Sequence, residues 1–191
     1  SALYPEKPIY DIPAYPRIEA QELIQKLKEQ AAPFNPTYHL GQQVMKVEPA
    51  GGNWKVTTSK GATIECKAIV IAVRRTAIGR VGGLHRGRRL DQLAAPLITA
   101  VLADAGLDAS TVREVILGNA AGGGGNPARL IALAAGLPDS IPAITVDRQC
   151  ASGLDAIITG ARLIETGAAQ AVIAGGAESP STAPWRVEKP A

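Results

Sequence analysis

The chain has 191 residues, of which 46% are hydrophobic and 19% are charged, a balance typical of a globular protein of one or two domains. A formal net charge of +3 is too small to indicate a polyanionic partner, and 4% aromatic residues are too few for a nucleic-acid stacking surface. An interior of Ala, Gly, Val, Ile and Leu is typical of layered α/β proteins.

Cysteine usage and the absence of a long apolar run bear on location. Cys66 and Cys150 are far apart in the sequence, which favours reduced thiols and a cytoplasmic protein. The sequence has no apolar run that predicts a membrane span, and it begins with Ser1 rather than with a basic and apolar leader. The missing initiator Met is interpreted as a sign that the amino terminus was cut from something larger.

The first third of the chain predicts a loop, a helix and an antiparallel meander. Four prolines in residues 1–18 predict an extended loop. An apolar stripe over residues 20–31 predicts an amphipathic helix that ends at Pro33. Alternating segments 43–48, 53–58 and 63–66, separated by glycine turns, predict the three strands of the meander.

The rest of the chain alternates between predicted strands and helices. Strands are expected at 67–73, 112–117, 143–146 and 170–174. Helices are expected at 90–107, from an Asn126 cap to 135, and after Cys150 to about 166. The fold class is therefore α/β, with a parallel-dominated sheet covered by helices.

Cys150 falls at a predicted turn between a strand and a helix. The unpaired N–H groups and the positive dipole end at the start of a helix favour a thiolate there. Ala151, Ser152 and Gly153 leave open space around the sulfur, as an acyl-accepting nucleophile requires. A lone cysteine is more often a small buried hydrophobe, so the residues by themselves leave both interpretations open.

Four separated motifs occur in the order and approximate spacing seen in thiolases. They are Val73-Arg-Arg-Thr-Ala-Ile-Gly-Arg-Val-Gly-Gly83, Gly118-Asn119 with Gly125-Asn-Pro-Ala-Arg129, Val146-Asp-Arg-Gln-Cys-Ala-Ser-Gly153, and Gly175-Gly-Ala-Glu-Ser179. Residues 68–191 thus resemble the amino-terminal portion of that family. The resemblance implies an acyl-cysteine at Cys150, acyl-CoA or coenzyme A as substrate without a further cofactor, thiolysis or Claisen condensation as the reaction, and a homo-oligomer.

Other parts of thiolase chemistry have no counterpart in this sequence. By resemblance the base would come from a Gly-His-Pro motif, an oxyanion donor from Asn-Glu-Ala-Phe, and a second acid/base from Cys-x-Gly-Gly-Gly; none of these occurs here. His39 and His85 match none of them; His39 is interpreted as a surface or strand-packing residue, and His85 as a residue exposed to solvent or in contact with the backbone. We therefore expect crippled activity from this chain.

Several further side chains have competing interpretations. Glu178 is weighed as a structural acceptor of backbone N–H groups ahead of a catalytic role, and Cys66 as strand packing. Six arginines precede the first predicted helix of the thiolase-like part: Arg74, Arg75, Arg80, Arg86, Arg88 and Arg89. They are interpreted either as part of a solvated loop or as a patch that contacts the phosphates of coenzyme A.

Residues 1–72 resemble a different family. Ala2-Leu-Tyr-Pro-Glu-Lys-Pro-Ile-Tyr-Asp11, Ala20-Gln-Glu-Leu-Ile24 and Cys66-Lys-Ala-Ile-Val-Ile-Ala72 are similar to the FAD-binding domain of thioredoxin-reductase-like ferredoxin–NADP reductases. That resemblance implies FAD as a cofactor, Tyr4 stacking on the flavin and Val44 near the adenine. The Gly-x-Gly-x-x-Gly fingerprint that holds a dinucleotide pyrophosphate is absent, since the glycine run 122–125 lacks the later glycine.

The two resemblances overlap at residues 67–73. Domains are therefore expected at 1–72 and 68–191, with one strand shared, as a fusion or as a composite of two parents. Three functional hypotheses follow: acyl transfer through Cys150, a fragment of an FAD-dependent ferredoxin/NADP oxidoreductase, and a non-catalytic chimera.

Overall fold

The structure is a computed structural model that describes residues 8–9 and 17–185. Its residue contacts divide the chain into two units, 1–43 and 44–191. The division predicted near residues 68–72 therefore falls inside the second unit and stays a prediction.

The first unit contains the predicted helix. Strands β1 (Pro8–Ile9) and β2 (Ile18–Glu19) pair antiparallel, and helix α1 (Ala20–Ala31) follows directly. A 3-10 turn at Ala32–Phe34 continues the chain, and Asn35 closes it in a left-handed conformation with φ +49°. Pro33 ends the α-helix because it has no N–H to donate. The predicted helix is confirmed.

The second unit begins with the predicted meander. Strands β3 (Val44–Ala50), β4 (Asn53–Thr58) and β5 (Thr63–Cys66) form an antiparallel sheet in the order β3-β4-β5. Gly51 and Gly52 have φ of +58° and +89°, the left-handed conformations that a two-residue hairpin turn needs. The meander is confirmed.

The predicted strand at 67–73 is wrong. These residues have no regular secondary structure and pair with no strand among the described residues. Val70, Ile71 and Val73 are 75%, 62% and 77% exposed. An apolar β-branched run has high strand propensity, but a strand forms only where the hydrogen-bonding edge of another strand lies alongside it.

The remaining elements alternate as predicted. They are α2 (Leu90–Ala105), β6 (Glu114–Gly118), α3 (Pro127–Ala134), β7 (Ala143–Val146), α4 (Ser152–Glu165) and β8 (Val172–Gly176). β6 lies in the middle of a parallel sheet of order β7-β6-β8. The α/β class with a parallel-dominated sheet is confirmed.

The core of this part lies on both faces of β6. Val115 and Leu117 belong to a cluster with residues of α2 and α3, including Ile98 and Ile131. Ile116 points to the opposite face because side chains alternate along a strand, and α4 packs on β6 from that side. Both faces of β6 are buried, since Val115 and Ile116 are each 0% exposed. Among the described residues, no helix has the length and apolar character needed to cross a bilayer.

Candidate active site at the carboxyl edge of the parallel sheet

The three parallel strands end at the same edge of the sheet. Gly118 of β6 is in register with Val146 of β7 and with Gly176 of β8. The loops after these strands, at 119–126, 147–151 and 177–184, therefore meet there. In open α/β sheets, ligands bind outside the carboxyl ends of the strands.

Cys150 lies in the loop between β7 and α4. Its residue is exposed, its thiol is free, and it precedes the first residue of α4 by two positions. Cys150 is therefore exposed and close to the amino-terminal turn of a helix.

The turn that carries Cys150 is held by side-chain hydrogen bonds. Gln149 has a left-handed conformation with φ +52°, and its N–H donates to Oδ1 of Asp147 at 2.9 Å. The Ser152 hydroxyl donates to the carbonyl of Gln149 at 2.6 Å and accepts from the N–H of Arg148 at 2.7 Å. Arg148 also forms an ion pair with Asp155, at 3.3 Å between Nε and Oδ2.

Glycines let the start of α4 approach the sheet closely. A Cβ on Gly118 would lie 2.6 Å from the carbonyl oxygen of Ser152 and 2.5 Å from the nitrogen of Gly153. Any side chain at position 118 would therefore collide with the backbone at the start of α4. A Cβ on Gly176 would lie 3.2 Å from the Cα of Gly153. The glycines of the sequence motifs thus place the Cys150 turn directly against the ends of β6 and β8.

Asn119 and Glu178 join the three loops. The backbone N–H of Asn119 donates to Val146, and its side-chain amide donates to the carbonyl of Ala177 at 2.9 Å. The carboxylate of Glu178 accepts from the N–H groups of Ala120 and Ala121, at 2.5 and 3.1 Å. The structural role weighed for Glu178 is confirmed, whereas the bridging role of Asn119 was missed because its partners are distant in sequence.

A cavity of about 320 Å³ opens at the same edge. Its walls are the amino-terminal ends of α2 and α3, the glycine loop and residues 179–184. Cys150 is not among the residues that line it.

The histidines and arginines occupy separate positions. His39 is exposed, and Nε2 of His85 is 2.9 Å from the carbonyl of Ala77, a backbone contact. Arg74 forms a two-point ion pair with Asp104, and its hydrogen bond lowers the pKa of that carboxyl. Arg89 pairs with Asp91. The other four arginines of the run are exposed: Arg75, Arg80, Arg86 and Arg88.

Of the two residues assigned to a flavin, only Val44 lies within the described part of the chain. Tyr4 lies outside the described residues. Val44 begins β3 and is 55% exposed. Cys66 is half-buried at the end of β5, with Sγ 3.8 Å from the carbonyl of Trp54, which agrees with strand packing. No cluster of metal-ligating side chains occurs within the described part of the chain.

Comparison with known proteins assigns most of this architecture to a family. The profile of the thiolase N-terminal domain matches residues 68–190. VraB of Staphylococcus aureus, provisionally named an acetyl-CoA C-acetyltransferase, is 44% identical over 124 residues, 65% of this chain and 33% of that protein. Its Staphylococcus epidermidis counterpart is 44% identical over 122 residues, 64% of this chain and 32% of that protein.

A solved structure agrees with the sequence relatives. The crystal structure of the Bacillus anthracis acetyl-CoA acetyltransferase is 36% identical and superposes with a TM-score of 0.62, over 63% of this chain and 31% of that one. The chain belongs to the thiolase family through a thiolase N-terminal domain at residues 68–190. It spans about a third of the length of the curated relatives it matches.

Proposed function

We propose that this chain accepts an acyl group from an acyl-CoA on Cys150. One observation carries the proposal: within a thiolase N-terminal domain, the only cysteine is an exposed thiol at a strand-to-helix turn beside the carboxyl edge of the parallel sheet. The exposure of Cys150 leaves room for a large thioester to reach the thiol.

The reaction is a thioester exchange. The Cys150 thiolate attacks the acyl carbonyl, a new C–S bond forms, and the bond from the carbonyl to the coenzyme A sulfur breaks. The coenzyme A thiolate leaves and takes up a proton, which balances the one lost from the Cys150 thiol. In the full thiolase reaction, the acyl group then passes to coenzyme A or to the carbanion of a second acyl-CoA.

The extent of reaction is expected to be small in this chain. General acid–base help contributes about 10²–10⁴ in rate, and one oxyanion donor contributes about 10²–10³. The family motifs for these groups do not occur in the sequence. We therefore expect slow, single acylation of this chain without multiple turnovers.

The experiment is incubation of the full chain with acetyl-CoA, followed by peptide mass spectrometry. We expect one acetyl group on the peptide that contains Cys150, lost in Cys150→Ala and retained in the matched control Cys66→Ala. Acetylation of Cys66 instead, or of neither cysteine, would contradict the proposal. Measurable multiple-turnover thiolysis would contradict the expected slowness.

The flavin hypothesis for residues 1–72 is tested on the same sample. FAD binding predicts visible flavin absorbance that stays with the chain through gel filtration. A chain that takes an acetyl group and carries no flavin supports acyl transfer alone, and one that does neither supports the non-catalytic chimera.

A further inference from the structure

We propose that Ser152 is the positioning residue for Cys150, an inference that rests on the proposed acyl transfer. Ser152 is the first residue of α4 and is only 4% exposed. Its buried hydroxyl makes two hydrogen bonds, and both go to the turn that carries the thiol.

The two bonds fix the backbone on the amino-terminal side of Cys150. The Ser152 hydroxyl donates to the carbonyl of Gln149, which also accepts from the Ser152 N–H at 3.0 Å. The same hydroxyl accepts from the N–H of Arg148 at 2.7 Å. Two successive residues before the cysteine are therefore tied to one buried side chain.

The carbonyl of Gln149 belongs to the peptide that continues into Cys150. Because this peptide is trans, its carbonyl and the Cys150 N–H point in opposite directions. The Ser152 bonds hold the carbonyl toward the start of α4, so they also orient the peptide plane that ends at the Cα of Cys150. The placement of the Cys150 backbone thus depends on the Ser152 hydroxyl.

The conformation that Ser152 holds is one the chain would not adopt unaided. Gln149 has φ +52°, and a left-handed conformation is strained for a residue other than glycine. Asp147 supports the same conformation through the Gln149 N–H. Without the Ser152 hydroxyl, the carbonyl of Gln149 and the N–H of Arg148 lose a buried partner, and the turn can relax toward negative φ.

The test compares Ser152→Ala, Gln149→Gly and the double variant in the full chain, with Ser140→Ala, an exposed loop serine, as control. For Ser152→Ala we expect the rate of Cys150 acetylation by acetyl-CoA to fall by about 10²-fold, because acyl transfer requires a fixed approach. Alkylation of Cys150 by iodoacetamide, measured against Cys66 in the same chain, should change far less. Glycine at 149 adopts the left-handed conformation without strain, so the double variant should regain much of the lost rate.

The same variants are compared by melting temperature. We expect Ser152→Ala to lower the melting temperature by about 5 °C, and we expect addition of Gln149→Gly in the double variant to recover about half of that loss. Ser140→Ala should change neither the acetylation rate nor the melting temperature. Equal acetylation of Ser152→Ala and the wild-type chain would overturn the positioning role and leave acyl transfer standing. If the wild-type chain takes no acetyl group, the proposed function fails. In that case the melting temperatures decide the positioning role. If the shifts of Ser152→Ala and Gln149→Gly simply add in the double variant, the positioning role is overturned.

Discussion

Gln149 and Gly118 show how single residues build the cysteine turn. Gln149 supplies a left-handed conformation, which bends the chain sharply between β7 and α4. Gly118 supplies space, because any side chain there would enter the backbone of Ser152 and Gly153. Neither residue has a reactive group, so their contribution is geometric: they let a helix begin directly against the end of a buried strand.

Replacement of Gly118 tests this close approach. We expect Gly118→Ala to destabilise the domain by about 3 kcal/mol, since the new Cβ meets backbone atoms that cannot rotate away. Thermal or urea unfolding measures the loss. Gly87→Ala is the matched control, because a Cβ at that position meets nothing within 4 Å. Equal stability of the two variants would show that α4 does not lie this close to β6.

Helices α3 and α2 begin with different local interactions. Helix α3 starts with Asn126, whose side chain accepts from the N–H of Arg129, and with Pro127 in the first turn. Helix α2 starts with Arg89, whose guanidinium makes two hydrogen bonds to Asp91 in the first turn. Both starts line the cavity at the carboxyl edge, so the caps also shape the surface around the site.

The Arg89–Asp91 pair at the start of α2 predicts a pH dependence. The hydrogen bonds from Arg89 lower the pKa of Asp91 below its ordinary value of 3.8. A carboxyl whose pKa is lower in the folded state stabilises the fold above its unfolded pKa, and this stabilisation is lost as the pH falls through the folded pKa. We expect Asp91→Asn to lower the melting temperature by about 3 °C at neutral pH.

The difference between Asp91→Asn and the wild-type chain should close as the pH is lowered below 3.8. Melting curves over a pH series provide the measurement. Asp139→Asn removes the same charge from an exposed loop and should show no such dependence. If the difference in melting temperature persists unchanged in acid, the destabilisation by Asp91→Asn comes from packing and not from the ionised pair.

At the scale of the whole molecule, the apolar run at 68–73 and the outer edges of the sheets stand out. β7 and β8 each pair only with β6 among the described strands. Residues 68–73 are apolar throughout, and Val70, Ile71 and Val73 are largely exposed. Unpaired strand edges and exposed segments of high β propensity are sites of intermolecular pairing.

A lysine in this run should make the isolated chain more soluble. We expect Ile71→Lys to reduce the rate of aggregation on warming several-fold without lowering the melting temperature, because Ile71 is 62% exposed. Light scattering and circular dichroism measure the two effects. Leu84→Lys, at a position 70% exposed outside the run, is the control for added charge and should reduce aggregation less. A large fall in stability for Ile71→Lys would contradict the structure, since it would indicate a buried strand.

The sequence by itself determined the elements that depend on local interactions, and it located the thiol. These include the amphipathic stripe of α1, the glycine turns of the meander, the Asn126 cap and the β/α alternation. Each depends on residues that are neighbours in the sequence, so each element was predicted within a few positions. The apolar patterns before and after Cys150 placed it between a strand and a helix for the same reason, because they are short local runs.

Only the tertiary structure decided which predicted strand is paired and how the loops at the carboxyl edge of the parallel sheet are joined. The run at 67–73 has the composition of a buried strand, yet pairing depends on an edge supplied from elsewhere in the fold, and no described strand supplies one. Asn119 and Glu178 likewise acquire their roles from partners nearly sixty residues away, as the separations of 58 and 57 residues show. Local preferences act within a few residues, whereas hydrogen-bond partners across a sheet edge are set by how distant segments pack, and that information is not local in the sequence.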